Sequence, residues 1–366
     1  MSIIIFIISL AVLILVHEFG HFIVAKKSGV RVDEFGLGFP PKIIAKKWGE
    51  TMYTLNAIPF GGFVKIFGED EHSGPISEAD KTTSFQYKPK WIQAAVLVAG
   101  VTMNLIFAWF LISVGFMIGL PTSVGYTGFG QVKDTRLVIT EIIPGSPAEK
   151  AGLISGDVIS SVSDGNTTLQ NTNLTPDVLK EMISKSSSKD ISITYIRGDS
   201  QPVTLSVEPD TETIVGKRAI GIAMDEIGTL KLPVYLALIE GARTTLLFTK
   251  NTISGLLGFF WDIVRFKSDF SEVSGPIGIA SVVGQAKSLG FVYLLSLVAL
   301  ISINLAVINL LPFPALDGGR LLFVLIEAIT RRPIPKKFVG IANTAGFAVL
   351  IILMLVVTGH DIFKLL

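Results

Sequence analysis

Three side chains near the N-terminus have the types and the spacing of a zinc hydrolase site. His17 and His21 are one helical turn apart, so both imidazoles would project from the same face of a helix. Imidazole nitrogens are common zinc ligands, and Glu18 occupies the position of a general base. The H-E-x-x-H motif at 17–21 therefore predicts hydrolysis assisted by Zn²⁺.

This motif comes directly after an apolar run. Residues 3–16 carry no charge and only one polar side chain, Ser9, which predicts a membrane helix over about residues 2–25. No Lys or Arg precedes the run and no small-residue cleavage site follows it, which disfavours a removable signal peptide. The alternative is a signal anchor with an accidental motif, but chance matches are rare in a chain with 4 histidines.

The composition favours an integral membrane protein. Of the 366 residues, 49% are hydrophobic and 17% are charged, and the mean hydropathy is positive. A net charge of +1 gives no argument for a nucleic-acid partner. Because the chain has no cysteine, its zinc ligands must be His, Asp or Glu.

Further apolar segments predict a polytopic α-helical membrane protein with about four transmembrane helices. The additional spans are expected near residues 94–120, 291–311 and 338–357. The segment from about 30 to 68 has β-type composition and several Gly and Pro, and predicts a membrane-associated region of short β-hairpins. Its unusually apolar character suggests that it re-enters the membrane.

Between the second and third spans, charge and turn residues return and predict an inserted soluble α/β module. An amphipathic pattern follows it and predicts linker helices along the membrane surface. The expected domains are 1–127 (first two spans and β region), 128–227 (module), 228–290 (linker helices) and 291–366 (last two spans).

Basic residues crowd the loops at 26–90 and 320–337, which lie on the same side of a four-span topology. The positive-inside rule makes that side cytoplasmic. We therefore expect a multi-pass protein of the cell (inner) membrane, with the lipid bilayer as its surroundings. The 128–227 module would be extracytoplasmic, and the H-E-x-x-H motif would lie in the membrane near the cytoplasmic side.

Asp317 is the best candidate for a third zinc ligand, because it is the only acid between Phe291 and Arg320. A carboxylate at membrane depth is costly unless it is paired or bound to a metal. The alternative places Asp317 beyond the membrane edge, as an N-cap of a helix beginning at Leu321. Asn104, in the second span, is expected either to pack helices or to lie near the site. His72 and His360 are expected to be ordinary surface residues.

With N-x-x-P-x-P-x-L-D-G-G at 309–319 added to H-E-F-G-H at 17–21, the chain resembles the site-2 protease family of intramembrane zinc metalloproteases. The likeness is greatest to the bacterial type that regulates sigma-E by cleaving a membrane-spanning anti-sigma factor. Residues 100–104 and 274–280 also resemble family segments, and 144–159 resemble a PDZ domain. One PDZ-like module is found, whereas some members carry two.

The resemblance implies Asp317 as the third zinc ligand, Glu18 as the catalytic base and Asn309 as a substrate-binding residue. It also implies that residues 51–67 present the substrate as an added β-strand. The implied function is a zinc-dependent intramembrane endopeptidase acting on single-span membrane proteins in regulated intramembrane proteolysis. Anti-sigma factors and remnant signal peptides are the expected substrates, and a peptide tail is the expected ligand of the PDZ-like groove.

Two other functions fit part of the pattern. One is a zincin-type protease that has its site in a soluble domain and uses the membrane helices only as anchors. The other is a non-catalytic membrane scaffold that binds partner tails through the PDZ-like domain. The position of H-E-F-G-H next to an apolar run disfavours the first.

Overall fold

The structure is a computed structural model, and its residues fall into two compact units that are described separately. The described residues are 2–69, 76–170, 173–198, 200–214, 216–265, 267 and 275–365. The first unit comprises Met1–Ile112, Gly241–Gly284 and Leu297–Leu366. The second comprises Ser113–Glu240 and Gln285–Ser296. His72 lies outside the described residues.

The described part of the chain contains both helices and strands. The α-helices are α1 (Ser2–Lys27), α2 (Lys90–Ile118), α3 (Pro147–Lys150), α4 (Pro176–Lys185), α5 (Val234–Val264), α6 (Pro276–Leu289), α7 (Phe291–Asn309), α8 (Asp317–Thr330) and α9 (Lys336–Leu365). The strands are β1 (Val32–Trp48), β2 (Thr51–Ile66), β3 (Leu120–Ser123), β4 (Lys133–Ile142), β5 (Val158–Ser163), β6 (Thr168–Gln170), β7 (Ile191–Ile196), β8 (Val203–Val207), β9 (Asp210–Ile214), β10 (Lys217–Ala219) and β11 (Ile222–Leu230). Short 3₁₀ helices cover Glu78–Thr83 and Phe85–Tyr87.

Among the described residues, four helices are long and apolar enough to cross a membrane, as the sequence predicts. They are α1, α2, α7 and α9, with candidate spans Ile3–Lys27, Lys90–Ile118, Phe291–Asn309 and Lys336–Phe363. Large apolar side chains stay on their outer surfaces, such as Ile3 at 66% and Leu355 at 61% exposure. Hydrocarbon accommodates such surfaces, and the internal hydrogen bonds of each helix satisfy its backbone. The protein is an integral membrane protein.

The last helix is longer than predicted, which changes the environment of one histidine. α9 continues to Leu365 because no Gly-Pro or other strong breaker follows the apolar run. His360 therefore falls inside the helix and is half-buried, with a buried Nε2 atom. His360 keeps a partly exposed side chain, within a helix rather than in a terminal segment.

β1 and β2 form one sheet in the first unit, rather than the separate short hairpins expected from the sequence. Residues 34–37 of β1 pair with 62–65 on one side and with 52–55 on the other, so both strands are folded back and used twice. The outer part of β1 pairs with β2 around a turn at Gly49, whose φ is 62°. Glycines allow these bends, since a Cβ atom at Gly36 would lie 2.5 Å from the Phe63 ring.

The second unit is built around a seven-stranded sheet. Its strand order is β3-β11-β4-β5-β7-β8, with β6 paired to β5. Alternate residues of β7 point to the interior, and Ile191 and Ile193 are fully buried there with Leu179 of α4. The structure confirms the module expected between the second and third spans, and shows that this module, predicted as α/β, is rich in β-strands.

The module also contains a buried ion pair. Asp157 is fully buried, and Arg197 donates to its two carboxylate oxygens over 2.7 Å from both Nε and Nη2. These hydrogen bonds raise the pKa of the Arg197 guanidinium above its usual value. Arg197 also donates to the carbonyl of Gly152 over 2.9 Å, so the pair joins two loops beside β5 and β7.

Candidate metal centre

The two motif histidines share a buried face of α1. Both are 7% exposed, and their ring centroids are 4.8 Å apart. Their Nε2 atoms approach to 3.2 Å, as expected for residues one helical turn apart. An apolar helix without Pro and without a charge before residue 17 supplies this geometry, because nothing interrupts its hydrogen-bond ladder.

Asp317 reaches the same point from the other end of the chain. Its Oδ2 atom lies 3.0 Å from His17 Nε2 and 3.1 Å from His21 Nε2. Asp317 is the first residue of α8, whereas Leu316 occupies the N-cap position. The N-cap alternative for Asp317 is therefore wrong, since the helix begins four residues earlier than Leu321.

Gly318 and Gly319 make this approach possible. A Cβ atom at Gly318 would lie 2.2 Å from the carbonyl oxygen of Leu311, and one at Gly319 would lie 2.2 Å from that of Phe313. Any side chain at either position would push the start of α8 away from the end of α7. The two glycines after Asp317 thus allow a tight reversal that brings the carboxylate back to α1.

These three donors fit a zinc ion. A tetrahedral Zn²⁺ with ligand distances of about 2.0–2.1 Å requires its donor atoms to be about 3.3–3.4 Å apart. The separations between the three donor atoms are 3.0, 3.1 and 3.2 Å. Two imidazole nitrogens and one carboxylate oxygen are also a donor set that zinc accepts in catalytic sites, where a fourth position is kept for water. Among the described residues, this is the group of His, Asp and Glu that could hold a metal.

Hydrogen bonds on the far side of each ring orient the histidines. His21 Nδ1 donates to the carbonyl of Val96 in α2 over 2.8 Å, which leaves the lone pair of Nε2 free to bind a metal. The Asn104 amide lies 3.3 Å from His17 Nδ1, and its Oδ1 is buried without a partner. An amide flip, which exchanges the positions of Oδ1 and Nδ2, would let Oδ1 accept a hydrogen bond from His17 Nδ1–H. Asn104 therefore belongs to the site, which decides between its two predicted roles.

Close packing of α1 against α2 brings these groups together. A Cβ atom at Gly100 would lie 2.3 Å from His21 Nε2, and one at Gly20 would lie 2.4 Å from the carbonyl oxygen of Ala99. Glycine on each helix removes the side chain that would otherwise separate them. Ser302 of α7 then donates to the backbone carbonyl of Asn104 over 2.8 Å, which connects a third apolar helix to the site.

Glu18 lies beside the β1–β2 sheet. A Cβ atom at Gly62 would lie 3.8 Å from Glu18 Cγ, so the backbone of β2 passes next to this carboxylate. Among the described residues, Glu18 has no hydrogen-bond or ion-pair partner that would occupy its oxygens. A carboxylate next to the donor cluster and free of partners can exchange protons with a substrate or with water.

Asn309 is the last residue of α7 and is half-buried. The described residues give it no hydrogen bond to the three donors or to Glu18. Two contacts that the sequence did not predict hold the segments on either side of Asp317. Arg320 pairs with Glu69, and Asn343 accepts a hydrogen bond from the backbone N–H of Ala315. An isolated Asn in an apolar span is the signal that could have drawn attention to Asn343.

Comparison of the sequence with known proteins identifies the family of this chain. The model of peptidase family M50 matches residues 5–353. The chain belongs to peptidase family M50, the site-2 proteases. A Clostridium perfringens protein named as a zinc metalloprotease is 34% identical over 369 residues, covering 99% of this chain and 98% of that protein. A similarly named Nostoc protein is 36% identical over 92% of this chain and 89% of its own.

A third relative has a more specific name. The regulator of sigma-W protease RasP of Bacillus subtilis is 29% identical over 444 residues, which covers 100% of this chain and 99% of that protein. Membership in the family and the names of its relatives identify this M50 peptidase as a zinc metalloprotease. The non-catalytic scaffold is therefore excluded as an account of the whole chain.

Proposed function

We propose that this peptidase is a zinc-dependent endopeptidase that cleaves transmembrane segments inside the bilayer. The observation that carries the proposal is the convergence of His17, His21 and Asp317 within one apolar helical unit. Two of these donors lie on a helix that is long and apolar enough to span a membrane. The donors belong to this unit and not to the β-rich module, which argues against a site in a soluble domain.

His17, His21 and Asp317 would hold the metal. A bound Zn²⁺ supplies a Lewis acid that acidifies water and stabilises negative charge on a carbonyl oxygen. Glu18 accepts the proton of the attacking water and later donates it to the leaving amine. Asn309 binds substrate, a role implied by the match of its motif to the family pattern.

The β1–β2 sheet suggests how a helical substrate is opened. A peptide bond in a helix is shielded by its own hydrogen bonds, so the segment must unwind before attack. Residues 62–65 pair with 34–37 on one side, and among the described residues no strand pairs with their other side. Because Gly62 lies next to Glu18, a substrate strand added at this edge would pass the proposed base with its backbone groups satisfied.

The basic loops support an orientation with the metal centre towards the cytoplasm. His17 and His21 lie near the end of α1 that carries Lys26 and Lys27. The positive-inside rule then puts the N-terminus and the β-rich module outside the cell membrane. Water would reach the centre from the cytoplasmic side.

The β-rich module is proposed to be a PDZ domain that binds peptide tails. β11 pairs with β4 through residues 222–229, whereas β3 pairs only with residues 227–230 on its other side. The first part of β11 thus has an edge to which a peptide strand could be added. The RasP relative is named for control of sigma-W, which supports an anti-sigma factor as substrate, with remnant signal peptides as the other candidate.

Two substitutions test the proposal in the purified full-length chain, with a single-span membrane protein as reporter. Glu18→Gln should keep the zinc-to-protein ratio and lower the cleavage rate by at least about a hundredfold, because the proton acceptor is lost. Asp317→Ala should lower both the zinc ratio and cleavage. Glu141→Gln, which changes an exposed acid of β4, is the matched control.

Three results would contradict the proposal. Cleavage by the Glu18→Gln variant at the wild-type rate would remove Glu18 as the base. An unchanged zinc ratio in Asp317→Ala would remove Asp317 as a ligand. Cleavage of the reporter only outside its membrane segment would replace the intramembrane protease by a membrane-anchored one.

A further inference from the structure

The loop before the third proposed ligand contains a strained backbone position. Ala315 has a φ of 76°, in the left-handed region that glycine adopts easily and that is sterically unfavourable for residues with a Cβ atom. Ala315 lies two residues before Asp317. A change of φ at this position would swing the start of α8, and with it the carboxylate, away from the two histidines.

The hydrogen bonds of the loop leave one group to be satisfied from outside. Within the loop, the N–H of Phe313 donates to Leu311 over 2.7 Å and that of Leu316 donates to Phe313 over 3.2 Å. The N–H of Ala315 has no such partner in the loop. Among the described residues its acceptor is Asn343 Oδ1, at 3.2 Å. Because a backbone N–H can only donate, this contact also fixes which side of the Asn343 amide faces the loop.

α9 is shaped to receive this turn. Asn343 lies near the start of α9, and Gly346 follows it one turn later on the same face. A Cβ atom at Gly346 would lie 2.4 Å from the carbonyl oxygen of Pro314. The helix thus offers a space for Pro314 and an acceptor for Ala315. An amide in an apolar membrane helix is costly without a partner, so a role for Asn343 is expected on physical grounds.

We propose that Asn343 is a positioning residue for the metal centre. By holding Ala315 in the left-handed conformation, it keeps the Asp317 carboxylate directed at His17 and His21. Among the described residues Asn343 has no hydrogen bond to either histidine, so its effect passes through the turn at Ala315. This inference rests on the proposed role of Asp317 as a ligand.

The alternative is that Asn343 only packs α9 against the rest of the unit. Glycine at position 315 separates the two roles, because glycine adopts positive φ without help from a hydrogen bond. If Asn343 acts through the turn, Ala315→Gly should compensate for its loss. If Asn343 acts through helix packing, Ala315→Gly should have no such effect.

The experiment measures zinc affinity of the purified full-length chain in detergent by competition with a graded chelator. Asn343→Leu keeps the size of the side chain but removes the acceptor, and should weaken zinc binding by about tenfold or more, as for other partners that orient ligands. The double variant Asn343→Leu with Ala315→Gly should regain most of this loss. Asn343→Asp keeps an acceptor oxygen and should bind zinc more tightly than Asn343→Leu.

A control variant and a reference variant accompany these measurements of zinc affinity. Thr344→Val removes the neighbouring exposed polar group of α9 and should leave zinc affinity unchanged. Wild-type affinity in Asn343→Leu, or equal weakening in the single and double variants, would overturn the inference. Asp317→Ala is the reference, because an unchanged zinc affinity there would instead overturn the proposed metal site.

Discussion

The two units differ in the polar side chains that they bury and in the apolar side chains that they expose. In the β-rich module, the interior is apolar, with Leu179, Ile191 and Ile193 fully buried around a single sheet face. In the helical unit, polar side chains such as His17 and Asn104 are buried beside an apolar cluster that includes Val32 and Leu97, while large apolar side chains cover the outer surface. A membrane explains the difference. Burial of apolar groups drives folding of the module, whereas lipid already solvates apolar groups of the helices, so polar contacts and close packing specify their association.

Different kinds of residue therefore indicate the interior of each unit. In the module, apolar periodicity marks the interior, and a polar residue inside needs an explanation such as the Asp157–Arg197 pair. In the apolar helices, periodicity carries little information about which side faces the protein, and the few polar residues mark the interior instead. We therefore expect loss of buried apolar side chains to harm the β-rich module, and loss of buried polar side chains to harm the helical unit.

The largest effect is expected for His21→Leu in the helical unit. The variant should lose its zinc and its protease activity completely, because one proposed ligand is gone. Its melting temperature should stay close to that of wild-type protein stripped of zinc, because the lost contacts with Val96 and Asp317 are offset by burial of an apolar side chain and His17 still pairs with Asp317. Metal analysis and thermal unfolding in detergent measure both. A melting temperature well below that of the zinc-free wild type would contradict the difference between the two units described above.

A smaller effect of the opposite kind is expected for Leu179→Ala in the module. Removing a fully buried side chain should lower the local free energy of unfolding by about 3 kcal/mol through lost burial and a residual cavity. Hydrogen exchange of peptides from β5 and β7 in the full-length chain measures this change. Val178→Ala, at a neighbouring position that is 42% exposed, is the control. Equal exchange in the two variants would show that α4 does not cover the core.

The smallest effect is expected for Glu181→Gln on the exposed face of α4. Glu181 and Lys185 form an ion pair one turn apart, in which the hydrogen bond from Lys185 lowers the pKa of the Glu181 carboxyl. Both side chains are largely in solvent, where such pairs contribute little. The variant should match wild type in hydrogen exchange, zinc content and cleavage. Clearly faster hydrogen exchange in the variant would show that surface charge contributes more to the stability of the module than expected.

Much of the fold could be predicted because its signals are local. The four apolar helices follow from uncharged segments, and the strands and helices of the module follow from alternation and from turn residues such as Pro144 and Gly145. The sheet of β1 and β2 could not be predicted in detail. Its strands fold back at Gly and Pro positions and pair twice, and pairing between distant residues leaves no local pattern.

The candidate site shows the same division. Spacing alone places His17 and His21 on one face, and the cost of a carboxylate in an apolar context singles out Asp317. Asn104 had two equal interpretations until its contact with His17 decided between them. Asn343 gave no signal beyond being a polar residue in an apolar span, because its partner is a backbone N–H.

The chemistry of this protein and its location in a membrane could be predicted from the order of residues along the chain. Residue types and spacing predict two imidazoles and a base at one site, and long uncharged segments predict membrane helices. Both signals depend only on residues that are neighbours along the chain. The closure of the metal centre, in contrast, depends on tertiary contacts. Asp317 meets the histidines across 300 residues because glycines let α1, α2 and α8 approach and because a turn at Ala315 is held by α9. Such contacts depend on the close approach of backbones from separate helices, which no local pattern records.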